Sequence, residues 1–173
     1  DFCVWRGDNF ALPTEPHWEY AAKGRSDWTY PWGNNFGSSN ANHCDLNCSQ
    51  ASWAGNLRWK QPENNDGYQH TSPVTTYPQG ASWVGAYNMA GNVSEWVSSL
   101  HRSYPYVTEL AEDPNNFSDY RVIRGGAFDF GAESLRTSER SLTIPDDSND
   151  SFGFRCMRTI DIQPGQATIQ DTS

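Results

Sequence analysis

The residues best placed to do chemistry lie in one short run, GAYNMAGNVSEW, from Gly85 to Trp96. Asn88, Asn92 and Glu95 crowd around two turn-forming glycines inside an aromatic-rich region. Two readings fit. One is a tight turn whose Asn and Glu cap backbone groups. The other is an oxygen cage for a hard cation, since calcium takes six to eight oxygens at flexible angles and a glycine-turned loop can aim several carbonyls inward. A second cluster is Cys44 and Cys48 in C-x3-C spacing beside His43. A tetrahedral zinc site needs a further Cys or His pair, and His70 alone stands near enough in sequence, so zinc is the weaker reading. With Cys3 and Cys156 the chain has four cysteines, and spacing does not choose among the three possible pairings. No G-x-S-x-G elbow is present, and His17, His43, His70 and His101 show no metal-binding spacing among themselves.

Regular elements to position these residues are few. LPTEPHWEYAAKGR predicts a helix: Thr14 as cap, Pro16 early where its missing N–H costs nothing, acidic residues in the first turn, and Gly24 at the end. Trp18, Ala21 and Ala22 give it an apolar stripe. From 27 to 82 there is almost no periodicity; Asn, Gly, Ser and Pro surround isolated tryptophans at 28, 32, 53 and 59. Such a stretch reads as packed coil held by metal ions or short disulfides. Trp96 to Ser99, YRVIRGGAF and FGFRCMRTI predict strands, SLRTSERS is ambiguous, and residues 101–119 and IPDDSNDS predict loops.

The 173 residues are one domain's worth of chain, with 8 Trp, 8 Tyr, 8 Phe, 14 Gly and 10 Pro. Aromatic packing with abundant turns implies an irregular α+β fold rather than layered helices, so the mean hydropathy of −0.78 is not a sign of disorder. A net charge of −9 argues against nucleic acid and anionic membrane surfaces as partners. No apolar run is long enough to insert in a membrane. The chain opens in mid-pattern at Asp1, which reads as a processed product or a piece of a longer protein.

Four blocks in order, LPTEPHWEYAAKGR, GAYNMAGNVSEW, RVIRGGAF and GFRC, resemble the formylglycine-generating enzyme (sulfatase-modifying factor) family. The resemblance implies a coil-rich variant of the C-type lectin fold over residues 1–158, a tail at 159–173, and an N-terminal part of the fold missing ahead of Phe2. It implies calcium held by the side chains of Asn88 and Glu95 with the carbonyls of Gly91 and Val93. A second calcium would be held by Asn42, Asp66 and the carbonyls of His43 and Tyr68, with Asp45 an equally good nearby carboxylate and a plain Asp66-Gly67 turn as the alternative. It also implies a Cys3–Cys156 disulfide, worth on the order of 4–5 kcal/mol in the chain-entropy model. Cys44 and Cys48 would then pair locally, and both bonds point to an extracytoplasmic setting, periplasmic, cell-surface or secreted.

The family's oxidase chemistry uses copper(I) on two cysteines between the RGG and GFRC blocks, because soft thiolates suit that ion. Between Gly126 and Arg155 this sequence has no cysteine, and Phe130 falls near the first expected position. The resemblance therefore implies one or two calcium ions, no copper, and a fold used as a platform for a protein or peptide ligand, or for other domains of a larger assembly. The binding face would comprise Phe128, Asp129, Phe130, Glu133 and Arg136. Phe128 and Phe130 either present their rings there or turn inward to fill the space of the lost cysteines. Arg124, Arg136, Arg140 and Arg155 are expected to brace the coil. The competing readings are an oxidoreductase of the same superfamily using other residues, and a structural subunit.

Overall fold

The computed structural model describes residues 2–7, 9–51, 59–113 and 115–160. Trp53 and the tail beyond Ile160 lie outside the described residues. In chain order the elements are α1 (Phe2–Trp5), β1 (Phe10–Ala11), α2 (Glu15–Lys23), α3 (Leu46–Ser49), β2 (Ser94–Leu100), α4 (Thr108–Ala111), β3 (Arg121–Arg124), β4 (Ser141–Thr143), β5 (Phe152–Phe154) and β6 (Met157–Arg158). The architecture is α+β and dominated by coil, as the sequence implied.

Helix α2 begins and ends where its signals stand. Thr14 is extended and its Oγ1 accepts from the His17 N–H, while Gly24 adopts a φ of 64° and donates to the Tyr20 carbonyl. Its stripe buries Trp18 and Ala22 against Met89, Val97 and Val122, so the helix docks on β2 and β3. The four-stranded sheet runs β4-β3-β2-β5; β2–β3 and β3–β4 are antiparallel and β2–β5 is parallel. FGFRCMRTI differs from expectation: it is two strands, β5 joining β2 and β6 pairing with β1 in a separate ribbon. The break falls at Arg155 and Cys156, where a salt bridge and a disulfide draw the chain aside. The ambiguous SLRTSERS holds the end of a 3-10 turn over Ala132–Leu135, followed by β4.

Charge is buried at the centre. Arg124 is 1% exposed and lies over the Trp18 ring at 5.0 Å. Its Nη2 donates to Glu19 Oε2 and to the Thr137 carbonyl, and Nη1 donates to the Glu139 carbonyl. Glu15, 2% exposed, takes a two-pronged contact from Arg140 at 2.6 and 2.8 Å. This network ties α2 to β3 and to the turn before β4. On the opposite side of the chain's path, Cys3–Cys156 fastens α1 to the segment between β5 and β6.

Removing one member of a buried ion cluster leaves the other charges uncompensated, which costs about 3–5 kcal/mol. Arg124→Met is therefore expected to lower unfolding free energy in urea by about that amount with an unchanged m value. A loss below about 1 kcal/mol would show that the cluster is not structural.

Candidate functional site

The coil from 27 to 82 is fastened to the sheet by amides. The Asn42 carbonyl accepts from the Asn92 N–H at 3.0 Å, and Asn42 Nδ2 donates to the His70 carbonyl at 2.7 Å and to Asn92 Oδ1 at 3.2 Å. Asn92 Oδ1 also accepts from the Ser72 N–H at 2.8 Å. The approach is so close that a Cβ on Gly91, at φ 75°, would stand 2.2 Å from the Asn42 carbonyl oxygen. Only glycine suits position 91, for both reasons.

Beside this knot the structure brings together Asn42, His43, Asp45 and Asp66, whose side chains are fully buried. Asp66 Oδ2 accepts from the His43 N–H and Oδ1 from the Tyr68 N–H, both at 2.8 Å. Asp45 Oδ1 caps α3 by accepting from Asn47 at 2.7 Å, and its Oδ2 accepts from the Asp66 N–H. Burial pushes the Asp66 carboxyl up to about 7, against the pull of the two backbone donors and with Asp45 adding to the rise. His43 holds its Nδ1 3.1 Å from the Ala41 carbonyl, and burial lowers its pKa, so it supplies no positive charge. Asn42 Oδ1 is buried and has no hydrogen-bond partner. Two carboxylates and an open amide oxygen without a cationic side chain make a donor set suited to a hard cation.

The Asn88–Glu95 loop is built differently. Asn88 and Asn92 take left-handed backbone angles, and Asn88 Nδ2 donates to the Val74 carbonyl at 3.1 Å. The Gly91 carbonyl accepts from the Val93 N–H at 3.0 Å. Glu95 accepts from Trp18 Nε1 at 2.7 Å and from Arg155 at 2.5 and 2.6 Å, and Arg155 also donates to the Tyr87 carbonyl. Here the carboxylate already has a guanidinium. A cation in this loop would share Glu95 with Arg155.

The disulfides Cys3–Cys156 and Cys44–Cys48 form as the family resemblance implied, and no free cysteine remains. The second bond also removes zinc as a reading of His43, Cys44 and Cys48.

The residues of the expected binding face are spread differently in the structure. Phe128 does not belong to it: the ring is 3% exposed, the residue lies in a turn rather than a strand, and its N–H is held by the Asn92 carbonyl at 3.1 Å. Phe130 is half-buried and stacks on Trp59 at 6.1 Å with 17° between the planes. Trp59 Nε1 donates to the Asp129 carbonyl at 2.8 Å, and the Phe130 carbonyl accepts from Cys44. Two adjoining clefts share Phe130 and Ser134. One, of about 530 Å³, is lined by Trp59, Lys60, Gln61 and Glu133; the other, of about 360 Å³, lies beside β3, β4 and β5. The smaller holds Asp129, Glu139, Asp147 and Asn149 with the hydroxyls of Ser94, Ser134, Ser141, Thr143 and Ser151. Arg136 lines neither; it is exposed and paired with Glu139 at 2.8 Å. Sequence reasoning missed Trp59, whose signal was an isolated tryptophan in a polar stretch. It also missed the acidic and hydroxyl residues of 139–151, which read as a plain loop.

The family model of the sulfatase-modifying factor enzyme 1-like domain matches residues 1–160. Inactive C-alpha-formylglycine-generating enzyme 2 of Bos taurus is 33% identical over 171 residues, covering 95% of this chain and 48% of that protein. Formylglycine-generating enzyme of Streptomyces coelicolor is 34% identical over 176 residues, covering 96% and 51% respectively. Among solved structures, PvdO from Pseudomonas aeruginosa shares the fold with a TM-score of 0.66 at 24% identity, over 92% of this chain and 57% of that one. The chain spans about half the length of the curated relatives it matches. With its disulfides, its coil-rich α+β architecture and the match over nearly all its residues, the chain belongs to the family of the sulfatase-modifying factor enzyme 1-like domain, which includes formylglycine-generating enzymes and inactive relatives.

Proposed function

We propose that this domain is a non-catalytic, calcium-stabilised binding module of a larger extracytoplasmic protein or assembly. The observation that carries the reading is the state of sulfur: both disulfides together take up all four cysteines, so no thiolate is left to hold copper(I). The position nearest the first expected copper ligand is Phe130, whose ring forms a step between the two clefts. Trp59, 47% exposed, and Phe130 offer the kind of aromatic surface that anchors recognition, with Glu133 and Lys60 beside them.

Calcium enters this reading through the Asn42, His43, Asp66 and Tyr68 set, which the orphaned Asn42 oxygen and the buried carboxylates support more strongly than they do a plain turn. A second ion at Asn88, Gly91, Val93 and Glu95 is the weaker claim, because Arg155 already neutralises Glu95. When bound, such an ion supplies positive charge and oxygen cross-links rather than chemistry. One observation favours a further structural role. Phe2, Val4, Trp5 and Phe154 form an exposed apolar patch beside the Cys3–Cys156 bond, with Trp5 79% exposed, as a subunit packed in a larger assembly would have.

The sign of the pH effect follows from Asp66. In calcium-free protein its raised carboxyl contributes stability that is fully present below about pH 4 and is lost as pH rises through about 7, because the folded chain must then hold a buried anion. Calcium requires that same anion, so the rise in melting temperature on adding calcium should grow from about pH 5 to about pH 8. Chelation by EGTA should lower the melting temperature of the wild type, and should lower that of Asp66→Ala by less. An EGTA-insensitive wild type would remove the calcium claim. The non-catalytic claim is checked by incubating the protein with copper(I), oxygen and a cysteine-containing peptide: no aldehyde should form, and aldehyde at stoichiometric yield would overturn it.

A further inference from the structure

The 360 Å³ cleft has a charge pattern of its own. Asp129, Glu139 and Asp147 line it, and no lysine or arginine among the described residues does. Glu139 is matched by Arg136 and Asp147 accepts from Thr143 Oγ1. Asp129 is matched by no cation among the described residues: burial pushes its carboxyl up against the pull of the Ser151 hydroxyl, while its Oδ1 is buried and has no hydrogen-bond partner. A buried acceptor without a donor costs about 1–3 kcal/mol, and more when it is charged, so the site gains from a ligand that brings a charged donor. The rings of Phe130 and Phe152 line the same cleft, and aromatic faces attract cations. The volume is that of a small-molecule site rather than of a bare ion.

From these features we infer that the cleft binds an alkylammonium group, its N–H donors directed to Asp129 and its hydrocarbon chain laid over Phe130 towards Trp59. This rests on the reading of the domain as a binding module and names the chemistry it would select. An ammonium suits the site better than a guanidinium, because a planar fork seeks both oxygens of one carboxylate in parallel, whereas Oδ1 of Asp129 is a single open acceptor. The shared Phe130–Ser134 edge gives the hydrocarbon part a continuous path into the larger cleft, where Trp59 presents its ring. The ammonium could be carried by a free amine or by a lysine side chain of a peptide.

The test is calorimetric titration of the intact chain, at fixed ionic strength and saturating calcium. The probes are 1,5-diaminopentane, spermidine, the peptide Gly-Lys-Gly with blocked ends, and the neutral 1,5-pentanediol. At least one ammonium probe should bind about tenfold or more tightly than the diol, and Asp129→Asn should weaken that binding at least about tenfold. Glu109→Gln, an exposed acidic residue outside the cleft, should leave it unchanged. Tighter binding of the peptide assigns the ammonium to a protein-borne lysine, and tighter binding of a diamine assigns it to a free amine; both support the inference. Should Asp129→Asn fail to fold, Asp147→Asn provides the second charge deletion in the same cleft, with the same direction of effect. No measurable binding of any ammonium, equal binding of the diol, or an unchanged affinity in the folded charge-deletion variant overturns it. Loss of amine binding in a protein that also forms no aldehyde sinks this inference alone. Aldehyde formation with intact amine binding sinks only the non-catalytic reading.

Discussion

Buried carboxylate is what this fold has to neutralise, and it does so in different ways in different places. Glu15 and Glu19 face Arg124 and Arg140, and Glu95 faces Arg155, so each group carries its own guanidinium. Asp45 and Asp66 have backbone N–H groups but no Lys or Arg side chain among the described residues, and the His43 ring, whose pKa burial lowers, stands 3.6 Å from Asp66. Ionised carboxylates without a counter-charge are costly to bury. The coil around them has few alternatives for cohesion, since its apolar contacts are scattered aromatics such as Tyr30, Trp32 and Phe36 rather than a continuous layer. A divalent cation there would convert the most unfavourable feature of the coil into its main cross-link.

The same coil also positions the aromatic edge of the two clefts. The same short segment that supplies His43 and Asp45 contains Cys44, whose N–H donates to the Phe130 carbonyl and whose carbonyl accepts from the Gln61 N–H. Trp59 and Phe130 are thus positioned from the segment that carries His43 and Asp45. On their other side, Asp129 and the hydroxyl-rich walls derive from β3, β4 and the approach to β5. In the copper-using members of the family this region would carry thiolates. Here ring stacking and oxygen donors line that region.

Local features were legible in the sequence and distant ones were not. Thr14, Pro16 and Gly24 define α2 because capping and backbone geometry act within a few residues. The RVIRGG strand followed from a short pattern, and both disulfides from the family resemblance alone. Whether Phe128 faces out or in was open in the sequence because it lies in a turn rather than a strand; the turn after Gly126 buries its ring beside His70. The parallel pairing of β5 with β2 is accompanied by Arg155 reaching Glu95 across 60 residues, which no periodicity encodes. Trp59 and Asp129 become partners only through a hydrogen bond spanning 70 residues. In both cases a long-range polar contact determines the geometry, and sequence patterns of period 2 or 3.6 are silent about such contacts.

The most direct test is a crystal structure grown in calcium, with anomalous diffraction recorded to identify the scatterer. A calcium peak is expected within about 2.3–2.6 Å of Asn42 Oδ1, the Asp66 carboxylate and the carbonyls of His43 and Tyr68. Ordered water at that position, with Asp45 and Asp66 sharing a proton between them, would contradict it.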